Sequence, residues 1–251
     1  MNRRRFFVPK DRIAGGIARL SAEEVHHLRD VLRLRAGQVV EVFDGAGRSY
    51  VGRVQRDDGG LSVGSLERTE GRAESPIDVS LGLALIKSDR FEWALEKATE
   101  LGVREIVPLE SRRCEVRIPQ GKLEARLERW RRIVREAAKQ CGRSAVPEVA
   151  APRSLAEHLA AGLAGTALLL LSERSAAPWD GRVEARRIGV TIGPEGGWTA
   201  EEVRSAEQAG CRIVGFGPRV LRAETAAIAA LAIVQFQSGD LGAANARREG
   251  S

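Results

Sequence analysis

Two turns rich in glycine and proline carry the residues of this chain that are best suited to bind a small molecule. The first reads Gly193-Pro194-Glu195-Gly196-Gly197 and the second Gly217-Pro218-Arg219, and each follows a short apolar run typical of a β-strand. Glycine permits backbone geometry that a side chain would forbid and proline fixes φ, so both turns should be rigid. Turns at the ends of neighbouring strands often form the ligand site of an α/β sheet. One such turn is commonly a plain strand-to-helix connection, but two turns with Arg222 and Glu224 beside them favour a binding site.

The residues of these turns exclude several familiar classes of ligand and enzyme. No Gly-Lys-Ser/Thr sequence follows Gly193–Gly197 and Glu195 would repel a phosphate, so this turn is not a P-loop. The segment Gly215–Val220 lacks the third glycine of a dinucleotide-binding fingerprint. The sequence also contains no motif of a zinc protease, a serine hydrolase or a cysteine nucleophile. An adenosine-like ligand held by backbone N–H and C=O groups remains, because it needs no signature side chain.

Cysteine usage and hydropathy indicate a cytoplasmic protein without a metal. Cys114, Cys141 and Cys211 lie far apart and form no Cys-x-x-Cys or Cys/His cluster, so neither a disulfide framework nor a zinc site is expected. The N-terminus lacks the apolar segment of a secretory signal. The longest apolar run, Ala167–Leu171, is far too short to span a bilayer, so we expect no membrane contact.

The basic residues indicate an anionic partner. Lys and Arg number 40 against 34 Asp and Glu, which gives a net charge of +6 at pH 7. Between Arg112 and Arg143, eleven basic residues stand against four acidic ones. A solvated helix face explains part of this excess, but a surface that contacts nucleic-acid phosphate explains it better. The cluster Arg3–Arg5 is either a solvated tail or an arm on the same phosphates.

The pattern of apolar residues divides the chain into two domains. Roughly the first 70 residues alternate with period two around a turn at Asp44–Gly47, and Ser21–Glu24 has the sequence of a helix capping box, which together predict a small, mostly β domain. The polar segment Thr69–Ser75 is the best candidate linker. Beyond it, buried-type strands alternate with helices, which predicts a mostly parallel sheet covered on both faces. The predicted domains are residues 1–72 and 73–240, followed by a tail at 241–251.

Several segments together resemble the RsmE family of 16S ribosomal RNA uracil-N3 methyltransferases, which belongs to the SPOUT, or trefoil-knot, superfamily. The strongest match is the pair of turns, Gly193–Thr199 and Gly217–Ala226, which are quite specific together and moderately so alone. Four further segments match, so the resemblance covers most of the chain: Lys87–Trp93, Lys97–Val103, Glu136–Arg143 and His26–Arg33.

The resemblance implies a C-terminal SPOUT-type α/β domain with a trefoil knot, preceded by a small PUA-like β-barrel domain that binds RNA. It also implies a homodimer that uses S-adenosylmethionine to methylate N3 of one uridine in small-subunit (16S) ribosomal RNA. The cofactor-binding residues that it implies are Leu171, Ile192, Gly193, Glu195, Gly196, Gly197, Phe216, Gly217, Arg219, Val220, Leu221 and Thr225. The candidate RNA-binding residues, taken from the basic clusters and the matching segments, are Arg3, Arg4, Arg5, Arg29, Arg33, Lys87, Arg90, Arg112, Arg113, Arg132 and Arg143.

The implied reaction assigns candidate catalytic roles to two residues after the second turn. N3 of uracil carries a proton that must leave before or during attack on the sulfonium methyl, so the site needs a base or donors that stabilise the uracil anion. Arg222 is the candidate donor, and Glu224 is either the base, the residue that orients Arg222, or only a cap of the last helix. Glu195 either contacts the ligand or satisfies the N–H groups of its own turn.

Two alternatives stay open at the level of the sequence. A SPOUT methylase acting on ribose 2′-OH or on tRNA has the same fold, although the β domain and the segment Arg219–Thr225 count against it. A non-catalytic RNA-binding factor of ribosome assembly is the second alternative, and the intact turn Gly193–Gly197 counts weakly against it.

Overall fold

The computed structural model describes residues 4–57, 60–69, 74–161, 165–173 and 179–242, which belong to two compact units. The first unit comprises Met1–Glu74 and Arg135–Val146, and the second comprises Ser75–Val134 and Pro147–Ser251. The predicted boundary between residues 72 and 73 lies outside the described residues. Arg135–Val146 falls in the first unit, whereas the sequence prediction placed it in the second domain.

Contacts with the N-terminal strands explain why Arg135–Val146 belongs to the first unit. The ammonium group of Lys139 lies 2.9 Å from both carboxylate oxygens of Glu24. The hydroxyl groups of Ser49 and Ser144 are 2.6 Å apart and buried. These partners are far apart in sequence, so the hydrophobic period, which reports only local structure, could not predict them.

The first unit is built on a six-stranded sheet in the order β1-β4-β5-β6-β3-β2. Its β1 and β4 pair in parallel and the other pairs are antiparallel. Alternate side chains, such as those of Val40 and Val42, enter a core with Phe6, Leu28 and Val63, as period two predicts. The elements are β1 (Arg5–Phe7), β2 (Ile13–Ala14), β3 (Ile17–Arg19), α1 (Ala22–His26), one π-helical turn (His27–Val31), β4 (Val39–Phe43), β5 (Ser49–Asp57) and β6 (Gly60–Thr69).

Only half of the predicted capping box at Ser21–Glu24 is formed. The Ser21 hydroxyl accepts a hydrogen bond from the backbone N–H of Glu24 at 3.2 Å, so the helix start is correct. The Glu24 carboxylate instead accepts from the backbone N–H of Phe7 at 3.3 Å and from Lys139. Because Glu24 is buried, a charged partner stabilises its carboxylate better than the N–H of Ser21 would.

The second unit contains a seven-stranded parallel sheet, as the alternation of strands and helices predicts. Its longest strands are mostly apolar, as expected where helices cover a sheet. The strands are β7 (Asp78–Ala84), β8 (Glu105–Glu110), β9 (Glu148–Val149), β10 (Arg153–Ser154), β11 (Ala167–Leu171), β12 (Arg187–Ile192) and β13 (Arg212–Val214). The helices are α2 (Ser88–Glu100), α3 (Leu123–Cys141, whose last turns belong to the first unit), α4 (Leu155–Ala160), α5 (Ala200–Gln208) and α6 (Ala223–Ser238).

The order of the parallel strands determines which loops meet. The order is β10-β8-β7-β12-β11-β13, with β9 beside β8, so β11 lies between β12 and β13. All strands of a parallel sheet end at the same edge, and the loops after β11, β12 and β13 therefore converge. The threading of the chain through a trefoil knot stays a prediction. None of the helices in the described ranges has the length and hydropathy needed to cross a membrane.

Arg5, predicted as part of an RNA-binding arm, is instead a buried residue of β1. Its Nε donates to Glu41 at 2.9 Å, and its guanidinium lies 4.6 Å from the centre of the Phe43 ring. Nη1 donates to the backbone carbonyls of Ala138 at 3.3 Å and Arg143 at 3.1 Å. Because the side chain is buried and engaged, it is not available to a phosphate. Arg3 lies outside the described residues.

Arg5→Ala should reduce the stability of the protein and Arg4→Ala should not. The first substitution leaves the Glu41 carboxylate buried without its cation, which we expect to cost about 3 kcal/mol of unfolding free energy. Arg4 is exposed, so its replacement should change stability by about 0.5 kcal/mol or less. Urea denaturation followed by far-ultraviolet circular dichroism measures both. Equal stability of the two variants, with weaker RNA binding by Arg5→Ala, would instead support the prediction that Arg5 belongs to an RNA-binding arm.

Candidate functional site

The carboxyl ends of β11, β12 and β13 form a pocket at one edge of the parallel sheet. Leu171 at the end of β11 pairs with Ile192 of β12 and with Val214 of β13. The segments that follow these three residues therefore begin side by side, and they line the pocket together with the start of α6.

Most of the residues predicted to bind a cofactor line this pocket. The two exceptions are Gly196, which faces Arg113, and Thr225, which is exposed in the first turn of α6. The predicted residues that line it are Leu171, Ile192, Gly193, Glu195, Gly197, Phe216, Gly217, Arg219, Val220 and Leu221.

The sequence prediction missed eight residues that also line the pocket. Ser172 and Glu173 directly follow the predicted Leu171, so continuing the prediction past the end of β11 would have found them. Trp198 directly follows the first turn, but an indole there gives no sign in the sequence of facing a ligand. The eight are Ser172, Glu173, Pro194, Trp198, Val214, Gly215, Ala223 and Ala226.

The first turn is shaped by the buried indole of Trp198. A Cβ atom added at Gly193 would lie 2.9 Å from Cε2 of this ring, so glycine allows the backbone to rest directly on it. The indole N–H donates to the carbonyl of Leu171 at 2.9 Å and thereby ties the end of β11 to the turn after β12. Gly197 adopts a φ of +65°, and Thr199 then caps α5 in a complete capping box with Glu202.

Arg90 of α2 connects the two turns through their acidic residues. Its Nη1 donates to Glu195 at 3.3 Å, and its Nε lies 3.7 Å from Oε1 of Glu224. Glu224 is only 9% exposed, and its Oε2 is buried without a hydrogen-bond partner among the described residues. Glu224 does not line the pocket itself, but its neighbour Ala223 does. A buried carboxylate with one cation beside it therefore lies next to a pocket residue.

The structure does not pair Arg222 with Glu224. Arg222 is exposed at the position before α6, and no side chain or carbonyl in the described part of the chain binds its guanidinium. The interpretation of Glu224 as the residue that orients Arg222 is therefore not supported, and Glu224 pairs with Arg90 instead. Glu224 also forms no side-chain cap of α6, because that helix has none.

Several predicted RNA-binding cations are engaged within the protein. In the second unit, Arg112 forms an ion pair with Glu201, and Nη1 of Arg113 donates to the carbonyl of Gly196 at 2.9 Å. In the first unit, Arg143 forms an ion pair with Glu74 at 2.9 Å. Arg29 is exposed but pairs with its neighbour in sequence, and the hydrogen bond from Arg29 lowers the pKa of Asp30 to about 2.

Four of the predicted cations remain exposed and without an ion-pair partner in the described ranges. Arg4 and Arg33 belong to the first unit, and Lys87 and Arg132 to the second. Arg132 lies on α3, where its neighbour Arg129 binds Glu92 at 2.6 Å and 2.7 Å and lowers the pKa of that carboxyl. The four exposed cations without an ion-pair partner are the ones best able to bind a polyanion.

The described residues contain no group of three or more His, Cys, Asp or Glu side chains arranged to hold a metal ion. The three cysteines are free thiols, and burial raises the pKa of Cys211.

Two family models match the sequence in consecutive parts. An RNA methyltransferase domain matches residues 73–235, which is more than half of the chain. An RNA methyltransferase PUA domain matches residues 20–63.

Individual relatives match over nearly the whole length. The ribosomal RNA small subunit methyltransferase E of Synechocystis sp. is 36% identical over 237 residues, which are 91% of this chain and 76% of that protein. The protein of the same name from Bacillus subtilis is 32% identical over 87% of this chain and 90% of its own. The crystal structure of a ribosomal RNA small subunit methyltransferase E from Neisseria gonorrhoeae, bound to S-adenosyl methionine, has a TM-score of 0.86 and 33% identity. It covers 96% of this chain and 100% of that one.

Gly193→Ala should destabilise the second unit. The added methyl group would overlap the indole of Trp198, so the turn or the ring must move, and overpacking of this kind costs about 1–3 kcal/mol. Gly121→Ala is the matched control, because a Cβ there meets no atom within 4 Å. Urea denaturation followed by tryptophan fluorescence compares the two. If both variants unfold at the same urea concentration as the natural protein, the indole does not shape the turn.

Proposed function

This chain belongs to the RNA methyltransferase family, and we propose that it is an S-adenosylmethionine-dependent enzyme that methylates N3 of a uridine in small-subunit ribosomal RNA. The observation that carries the proposal is the pocket at the ends of β11, β12 and β13. A relative with the same fold, a ribosomal RNA small subunit methyltransferase E, binds S-adenosyl methionine.

The pocket suits a cofactor that is part apolar nucleoside and part cation. Leu171 and Ile192 provide apolar side chains, and Gly193, which rests on Trp198, keeps the backbone of the first turn open to a ligand. The charged side chains that line the pocket are two carboxylates, Glu173 and Glu195, and one guanidinium, Arg219, so their sum is negative and favours a cationic ligand. S-adenosylmethionine carries a sulfonium cation and supplies, when bound, an electrophilic methyl group.

The buried carboxylate of Glu224 suits the proton that uracil must lose. The methyl group replaces a proton on N3, so a neighbouring acceptor has to take that proton. Oε2 of Glu224 is buried without a donor among the described residues, and Nε of Arg90 lies 3.7 Å from the other oxygen of the same carboxylate. We assign Glu224 as the base on these grounds.

Arg222 suits a second need of the reaction, which is to stabilise the negative charge that the uracil gains. As N3 loses its proton, negative charge develops on O2 and O4 of the uracil, and a guanidinium can donate to either oxygen. Arg222 is exposed beside the pocket residues Leu221 and Ala223 and has no partner to release first. We assign it as the donor.

RNA is held in this proposal by the cations that stay exposed, Arg4, Arg33, Lys87 and Arg132. Phosphate contacts position an RNA without reading its sequence, so the choice of base falls to the pocket. The two domains of the sequence prediction then divide the work. Residues 1–72 contribute Arg4 and Arg33 to RNA binding. Residues 73–240, with their predicted knot, contribute Lys87 and Arg132 and perform the transfer in the cytoplasm.

We also propose a homodimer formed by the second unit. Four large apolar side chains of this unit are exposed, namely Val220 at 75%, Phe236 at 63%, Leu241 at 53% and Trp93 at 45%. Val220 lines the pocket as well, so a second copy covering these residues would complete the site. Sedimentation equilibrium of the whole protein distinguishes one chain from two.

The decisive test of the proposed function is the identity of the methylated nucleoside. The protein is incubated with cofactor labelled in its methyl group and with unmethylated small subunits or their RNA, which is then digested to nucleosides. We expect the label in N3-methyluridine. Label in a 2′-O-methyl nucleoside, or in tRNA and not in ribosomal RNA, would favour the other SPOUT activities, and no cofactor binding at millimolar concentration would favour a non-catalytic factor.

Arg222→Ala should abolish turnover and leave the dissociation constant of S-adenosylmethionine within about tenfold, or roughly 1.4 kcal/mol. The reason is that an exposed donor to the uracil acts on the transition state and does not build the pocket. Methyl transfer and isothermal titration calorimetry measure the two effects separately. Equal loss of both would show that Arg222 forms part of the cofactor site.

A further inference from the structure

We propose that Arg90 and Arg113 are positioning residues that hold the turn Gly193–Trp198 of the cofactor pocket, and that neither contributes to RNA binding. Both belong to segments that the sequence assigns to RNA. The proposal rests on the proposed function for the identity of the cofactor.

Arg113 holds the turn through two backbone carbonyls. Its Nη1 donates to the carbonyl of Gly196 at 2.9 Å and lies 3.4 Å from the carbonyl of Trp198. A Cβ atom added at Gly196 would lie 3.2 Å from Cβ of Arg113, so the backbone of the turn packs directly against this residue. The two carbonyls flank Gly197, whose φ is +65°, and one guanidinium therefore stabilises both sides of the bend.

The segment that carries Arg113 is itself fixed to the helix that follows the turn. The backbone N–H of Arg112 donates at 2.9 Å to Glu202, the residue that completes the capping box of α5. The side chain of Arg112 pairs with Glu201 in the same helix turn. Nη2 of Arg117 donates to the carbonyl of Ser111 at 2.9 Å and closes the segment on itself. Arg113 thus reaches the pocket turn from a held position.

Arg90 holds the turn on its acidic side. It donates to Glu195 of the first turn at 3.3 Å and lies 3.7 Å from Glu224, which follows the second turn. One cation therefore links both turns of the pocket. Without it, the carboxylates of Glu195 and Glu224 would have no positive charge between them. The side chain is 28% exposed, so water screens these contacts only in part.

These contacts separate Arg90 and Arg113 from the cations that can bind a polyanion. A phosphate would have to compete with carboxylates for Arg90 and with two carbonyls for Arg113. Arg132, exposed on α3, has no such partner among the described residues. The same residue type therefore serves two purposes in the second unit, and the partners of each side chain distinguish them.

The test measures cofactor affinity and RNA affinity separately in the full-length protein. S-adenosylmethionine binding is measured by calorimetry, and binding of small-subunit ribosomal RNA without cofactor by filter retention over a series of salt concentrations. Arg113→Ala and Arg90→Ala should each weaken cofactor binding about fivefold, and leave RNA binding within about twofold. Arg113→Lys should restore part of the loss, because an ammonium group reaches one carbonyl without the fork of a guanidinium.

Arg132→Ala should show the reverse pattern, and Arg204→Ala should change neither affinity. Loss of the Arg132 charge should weaken RNA binding and reduce the dependence of log K on log salt by about one. Arg204 is exposed on α5, away from the turn contacts described above, and provides the matched arginine control.

Hydrogen exchange provides a readout that does not depend on the cofactor. Backbone amides of residues 193–199 should exchange faster in Arg113→Ala than in Arg204→Ala, because the turn opens more often. Unchanged exchange and cofactor affinity in Arg113→Ala would overturn the proposal, and so would a loss of RNA binding as large as that of Arg132→Ala. If the natural protein binds no S-adenosylmethionine, the proposed function fails. The exchange rates then still show whether Arg113 holds the turn Gly193–Trp198.

Discussion

The pocket depends on one contact that glycine alone permits, the packing of Gly193 against the indole of Trp198. The indole needs a buried acceptor for its N–H and finds it in the carbonyl of Leu171, at the end of the neighbouring strand. The same ring thus supports the turn after β12 and fixes its distance from β11. A side chain at position 193 would separate the two, because a Cβ would lie 2.9 Å from the ring. The shape of the ligand site is therefore a consequence of core packing.

Local patterns predicted the elements of this fold but not their arrangement. The apolar run Ala167–Leu171, which forms β11, and the helix start at Ser21 were recognisable because apolar runs and helix caps depend on a few consecutive residues. The position of β12 between β7 and β11 depends on pairings such as Leu81 with Val190, which are more than 100 residues apart. No periodicity reports such a pairing. The resemblance of the two turns to a known family, and not periodicity, indicated that the segments after these strands form one cofactor site.

Charge was the property that the sequence predicted least well. The sequence does not show whether an arginine contacts solvent, a phosphate or a buried carboxylate. Arg5 and Arg4 are adjacent, yet one is buried beside Glu41 and the other is exposed. Arg113 and Arg132 lie in the same basic stretch, yet the first binds a carbonyl of Gly196. The partner in each case is distant in sequence, so net charge predicts an anionic partner without showing which cations would contact it.

The oxygen of Glu224 that lacks a hydrogen-bond partner among the described residues has a use only if Glu224 is the base, as we propose. A buried carboxylate oxygen that lacks a donor destabilises the folded protein, because water donates to this oxygen in the unfolded chain and burial removes that water. Arg90 lies 3.7 Å from the other oxygen, but Oε2 has no donor among the described residues. A carboxylate with donors to both oxygens would avoid this cost, but it would be less able to accept a proton. The proposed role of Glu224 as the base would account for this cost, because local instability is common at functional sites.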